Sequence, residues 1–150
     1  MGLLLVMMAG LMSVSVIALK LTENQGNLAA RTTEYAQDKM EQLLGLAYGD
    51  VVSDTRVFPA AFNGGTGLDV GGSSNPAAPV DGYVDYLDQT GNLLASAGGA
   101  PNGWFYMRVW KISNPSVNLK QVSVTATVRW GFAGSMPPSS TVVALKTFPF

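Results

Sequence analysis

Residues 20–48 read KLTENQGNLAARTTEYAQDKMEQLLGLAY. This stretch holds no proline and is interrupted by Gly26 and Gly45 alone, while Leu21, Leu28, Thr32, Tyr35, Ala36, Met40, Leu43, Leu44 and Ala47 recur at steps of three and four. That period places them on one face of an amphipathic helix. Glu23, Arg31, Glu34, Asp38, Lys39 and Glu41 fall on the other, wetted face. Gly49 and Asp50 supply a stop after the last periodic residue.

Upstream, residues 1–19 (MGLLLVMMAGLMSVSVIAL) carry no charge, and Lys20 is the first charged residue. As a helix this run would extend about 28 Å, close to the roughly 30 Å apolar thickness of a bilayer. It is too long for the apolar part of a signal peptide and lacks a basic flank before it, so it reads as retained. The expectation is one continuous helix over residues 2–47, roughly 70 Å long. Leu3, Leu4, Leu5, Met8, Leu11, Met12, Val16 and Leu19 are its candidate contacts to other copies. Gly2, Ala9, Gly10, Ser13 and Ser15 are small enough to let such helices approach closely.

Downstream, residues 49–82 turn rich in Gly, Ser, Asn and Pro and read as loop. From residue 83 the period becomes two. Four strands are expected, at Tyr83–Leu87, Trp104–Ser113, Leu119–Trp130 and Thr141–Phe148. In the third, Val122, Val124, Ala126, Val128 and Trp130 alternate with Gln121, Ser123, Thr125, Thr127 and Arg129, giving one buried and one wet face. The predicted fold class is therefore α+β, a long N-terminal helix, apolar then amphipathic, packed on a four-stranded antiparallel head. Its parts are an apolar membrane or filament-core helix (1–20), an amphipathic helix (21–48), a loop (49–82) and the β head (83–150).

Composition narrows the function. With 150 residues the chain has room for one modest core. Charged residues make up 13%, about half the share in an ordinary soluble domain, so much of the surface is neutral. A formal net charge of −1 leaves no basic excess for nucleic acid, which is not required as a partner. The charges are unevenly placed: all 10 acidic residues lie at or before Asp88, and Arg108, Lys111, Lys120, Arg129 and Lys146 follow it. The two halves should attract, first within one chain and more weakly between neighbours, where salt would screen the contact.

Cys 0 and His 0 remove disulfides, thiol nucleophiles, imidazole bases and the commonest zinc, copper and haem ligands. No nucleophile and base constellation suggests an enzyme, and no cofactor is expected. Asp81, Asp85 and Asp88 cluster around the first strand, but the following DQTGN lacks the spacing of a calcium loop, so turn and edge carboxylates are the preferred reading. The glycines Gly64, Gly65, Gly67, Gly71 and Gly72 have no GK[ST] after them, so a flexible loop is preferred to a phosphate cradle. Trp104, Phe105, Tyr106, Trp110 and Trp130 could stack on a sugar or a single-stranded base. Core on one side and subunit contact on the other is the preferred reading. The candidate contacts on the head surface are Trp104, Tyr106, Arg108, Trp110, Lys120, Asp81 and Asp85.

The order of these segments resembles that of type IV pilins and pseudopilins. Locally, TEYAQDKMEQLLGLAYGDVVSDT (33–55) resembles the point in minor-pilin-like proteins where the helix enters the head, and VSVTATVRW (122–130) resembles their long late strand. The resemblance implies a structural subunit, held in the bacterial inner membrane and then drawn by pilus assembly machinery into an extracellular filament of copies of itself. Motility, adhesion, DNA uptake and secretion all use such filaments. The alternatives are a type II secretion pseudopilin and a membrane-anchored binding module. The chain departs from the family in three ways: it shows no leader peptide, it has no disulfide, and Leu5 stands where the family carries a glutamate. Laid against the helix-to-head phrase, the apolar segment is short by roughly two turns, so the expectation is that the native chain extends upstream of Met1.

Overall fold

The computed structural model describes residues 23–24, 26–46, 48, 68–96, 99–129 and 136–148. A helix, α1, covers 26–44, and Glu23 and Asn24 ahead of it are helical as well. Six strands follow: β1 (Gly71–Gly72), β2 (Val84–Leu87), β3 (Leu93–Ala95), β4 (Tyr106–Ser116), β5 (Leu119–Val128) and β6 (Ser139–Thr147). They form one antiparallel sheet in the order β3-β2-β4-β5-β6, with β1 paired to the far end of β4.

The expected fold is corrected in two respects. In place of a helix running from residue 2 to residue 47, the described helix is α1, and no helix among the described residues is long and apolar enough to cross a membrane. In place of four strands, the described residues form six, and among them the fold is mostly β. The apolar segment 1–20, with Leu3, Leu4, Leu5, Met8, Leu11, Met12, Val16 and Leu19, lies outside the described residues. So do residues 51–67 of the expected loop, and Trp130. α1 also ends earlier than the Gly49 stop. Gly45 closes the last turn by donating its N–H to Glu41 O at 3.0 Å, and Leu46 N donates to Leu43 O at 3.1 Å.

The sheet's inner face follows from its register. Pairing of Tyr106, Arg108, Trp110 and Ile112 with Val128, Ala126, Val124 and Val122 puts these eight side chains on one side. Thr32, Tyr35, Ala36, Met40 and Leu43 of α1 are buried against that side, with Leu28 and Leu44 half-buried at the margins. Trp110, Val122, Val124 and Ala126 are all fully buried. On the opposite face Val84, Tyr86, Met107 and Val109 make a second, smaller cluster with Ala95 and Trp104.

α1 lies along β6 and runs in the same direction. Near its start the Thr32 and Thr33 hydroxyls meet Ser140 Oγ at 2.8 and 2.9 Å. Near its end Lys146 reaches the carbonyls of Leu44 and Leu46. Ser140, Val142, Ala144 and Lys146 are therefore turned inward, and Val143 and Leu145 stand more than half exposed on the other side of this strand.

The expected loop contributes one strand, and the stretch between the first two expected strands contributes another. Gly71 and Gly72 pair with Ile112 and Lys111. At Gly72, with φ +79, an added Cβ would sit 2.2 Å from Trp110 O and 2.7 Å from the Tyr83 ring, so the close approach requires glycine. The turn after β2 is built on Asp88, whose Oδ1 accepts from Thr90 N, Thr90 Oγ1 and Asn92 N, and β3 then returns beside β2.

Candidate functional site

Charged side chains form two groups inside the head. The first joins α1 to β2 and β4. Asp85 and Arg108 are register partners on neighbouring strands, and the pleat turns both toward the helix. Arg108 donates from Nη2 to Asp85 Oδ2 at 2.8 Å and from Nη1 to Asp38 Oδ2 at 2.7 Å. Lys39 Nζ lies 3.0 Å from the same Asp85 oxygen and 4.1 Å from the centre of the Trp110 ring. Lys39 and Asp85 side chains are each 1% exposed, whereas Asp38 is 54% exposed and opens the group to water. The group is neutral, with two cations and two carboxylates. Burial pulls the Lys39 pKa down, and the attraction of Asp85 only partly offsets it. Asp85 Oδ1 has no hydrogen-bond partner among the described residues.

The second group lies at the C-terminal end of α1. Lys120 of β5 donates to Tyr48 O and Leu68 O, each at 2.5 Å, and Lys146 of β6 donates to Leu44 O at 2.6 Å and to Leu46 O. A helix end leaves carbonyls without intrahelical partners and carries partial negative charge, and the Lys146 ammonium on Leu44 O complements it, whereas Lys120 meets carbonyls outside the helix. Lys120 Nζ also lies 5.0 Å from the Tyr48 ring centre. Burial lowers the pKa of both lysines, and the nearby Lys120 charge lowers that of Lys146 further.

These positions bear on the candidate surface contacts. Tyr106, Arg108, Trp110, Lys120 and Asp85 are buried within the chain, which withdraws them from any neighbour's reach. The attraction between the acidic and basic halves is met inside one chain for Asp38, Asp85 and Arg108. Lys120 donates to the main-chain carbonyls of Tyr48 and Leu68, with the Asp69 charge of the same loop acting on it, all within one chain. Asp81 is exposed, and Trp104 is half-buried.

The aromatic strand does not offer an open stacking platform. Tyr106 packs edge-on against Tyr35 and Phe105, Trp110 tilts against Tyr83, and Trp104 is held between Tyr86 and Arg129. Asp88 is committed to its own turn, where the Thr90 and Asn92 hydrogen bonds hold its carboxyl well below the usual carboxylate range. Asp81, Asp85 and Asp88 are not brought together, and among the described residues no group of three or more acidic side chains could hold a metal ion.

Compared with protein-family models, with characterised proteins and with solved structures, the chain gives no significant match.

Pattern reading missed Lys39, which it assigned to the wet face of the helix, and Lys146, which it noted only as a charge. A signal for Lys39 was present: it lies three residues after Ala36 and four before Leu43, inside the apolar stripe. Arg108 likewise alternates with Tyr106 and Trp110, and Asp85 with Tyr83 and Leu87.

Proposed function

We propose that this chain is a structural subunit of a type IV pilus-like filament, polymerising through its apolar N-terminal segment and carrying the β head on the outside. The observation that carries the reading is the junction between the two parts. Glu23, Asn24, Gly26 and Asn27 are exposed, and Leu28 is the first α1 residue packed on the core cluster. The 19 uncharged residues at the start of the sequence thus join the head through a wetted stretch. The sheet's inner face is meanwhile met by Tyr35, Ala36, Met40 and Leu43 of α1. An apolar run of that kind needs lipid or other copies of itself to cover it. The sequence likeness at 33–55 and 122–130 supports the same reading.

In this account the subunit sits in the bacterial inner membrane before assembly and in an extracellular filament afterwards. Assembly machinery and further copies of the chain are its partners, and no catalytic step is involved. Electron microscopy of purified surface filaments, with mass-spectrometric identification of the constituent chain, tests it. Filaments with a regular subunit repeat that contain this chain are expected. Recovery of the chain solely from membrane fractions, as dispersed particles, would favour a membrane-anchored binding module instead.

A further inference from the structure

The Lys39–Asp85 pair has the ingredients of a covalent crosslink. Its amine nitrogen and carboxylate are 3.0 Å apart and both side chains are 1% exposed. One belongs to α1 and the other to β2, so their separation is fixed by the packing of helix on sheet. The bond to be formed joins Nζ to Asp85 Cγ, the carbon that carries Oδ2, and holding both groups in one buried site supplies part of the advantage of an intramolecular reaction. We propose that Lys39 and Asp85 condense into an intramolecular amide bond that ties the helix to the sheet.

The step balances without any further reagent. The Lys39 ammonium passes one proton to Asp85 Oδ2, and the freed lone pair on Nζ attacks Asp85 Cγ. The Cγ–Oδ2 bond then breaks, and Oδ2 leaves as water with that proton and a second one from the nitrogen. Asp85 Oδ1, which has no hydrogen-bond partner among the described residues, becomes the amide carbonyl oxygen. Arg108 Nη2, 2.8 Å from Oδ2, holds the carboxyl group in place and stays beside the departing oxygen.

Opposing forces act on the starting state. For Lys39, the Trp110 ring and the Asp85 carboxylate favour the ammonium, and burial favours the neutral amine. For Lys39 burial prevails, since its pKa falls despite the neighbouring carboxylate. Charge balance also permits the step. Condensation removes one cation and one anion together, and leaves Arg108 paired with Asp38 at 2.7 Å. Two buried charges with a large desolvation cost are replaced by one neutral amide.

Intact-mass spectrometry of the denatured full chain, after folding and incubation at neutral pH, tests the proposal. The expected mass is the formula mass less one water. Tandem fragmentation should find the peptide containing Lys39 joined to the one containing Asp85. Lys39→Arg keeps a cation near Asp85 but cannot form the amide, and it should run at its full formula mass. A wild-type chain at full formula mass overturns the proposal. So does a loss of water that persists in Lys39→Arg, or one that fragmentation places at another residue. The wild-type measurement decides by itself if the variant fails to fold, and none of these outcomes depends on whether filaments form.

Discussion

Lys120 and Lys146 face one another across β5 and β6; Lys146 turns its ammonium group onto carbonyls at the end of α1, and Lys120 onto those of Tyr48 and Leu68. Two like charges are thereby held side by side on one sheet face. Each donates to carbonyl oxygens, and the Asp69 carboxylate adds an attraction for Lys120. Removing one of these donors leaves buried acceptors unmatched. Lys120→Met is expected to cost about 1–3 kcal/mol of stability. Because the contact is buried, the loss should be equal at low and high salt in urea denaturation. A loss that shrank as salt rose would instead mark Lys120 as a screened surface charge.

Asp85 neutralises two buried cations at once, Lys39 and Arg108. Asp85→Ala strands Lys39, leaves Arg108 with Asp38, and is expected to cost about 3–5 kcal/mol, the range for breaking a buried ion pair from one side. Glu34→Ala removes one partner of an exposed pair with Arg31 and should cost under about 1 kcal/mol. Chemical denaturation of the two variants checks the contrast.

Gly72 and Gly26 should respond in opposite directions to the same substitution. At Gly72 an alanine would need a left-handed backbone and would press on Trp110 O and Tyr83, so Gly72→Ala should lose at least about 2 kcal/mol. Gly26 is in α1 and nothing lies within 4 Å of an added Cβ. Gly26→Ala should gain about 0.5–1 kcal/mol, from helix propensity. Melting temperatures of the two variants provide the measurement.

Asp88 makes the turn after β2 sensitive to acid. Its folded pKa is depressed, first by the Thr90 side-chain hydrogen bond and then by those to Asn92. The unfolded chain therefore takes up the proton first as pH falls. The contribution of Asp88 to stability is complete above about pH 4 and is lost below it, as pH approaches the folded value. The urea midpoint of the wild type should drop more between about pH 5 and pH 3 than that of Asp88→Asn. Equal slopes would show that the carboxylate is not the titrating group.

Deletion of residues 1–20 addresses the proposed function. The remaining chain keeps every residue of the two core clusters, so a soluble monomeric head is expected in sedimentation. Assembly of that fragment into filaments would show that the apolar segment is not what drives polymerisation.

α1 and the three long strands could be read from the sequence because their patterns run long enough to repeat, whereas the overall fold class could not. β4, β5 and β6 span nine to eleven residues with alternating faces, and α1 repeats its apolar stripe from Leu28 to Leu44. β1 and β3, of two and three residues, show no period. Gly71 and Gly72 read as loop because their pairing depends on the close approach of Tyr83 and Trp110, which only the folded chain supplies. The charged groups were hidden for another reason. Polarity assigns Lys39, Asp85, Arg108 and Lys120 to water, while their positions in the helical and alternating periods place them inside. Position prevailed because each finds an opposite charge or a carbonyl within reach.

The alignment of α1 with β6 has a mechanical consequence. Tension applied at the exposed start of α1 and resisted by the sheet would act along the strands, not across them. The Thr32 and Thr33 contacts to Ser140, the Lys39–Asp85–Arg108 group and the Lys146 contacts lie at successive points along the helix, so such a pull strains them together. The seam is then loaded in shear, and parting it requires several contacts to fail at once; a pull directed away from the sheet face would peel them one at a time.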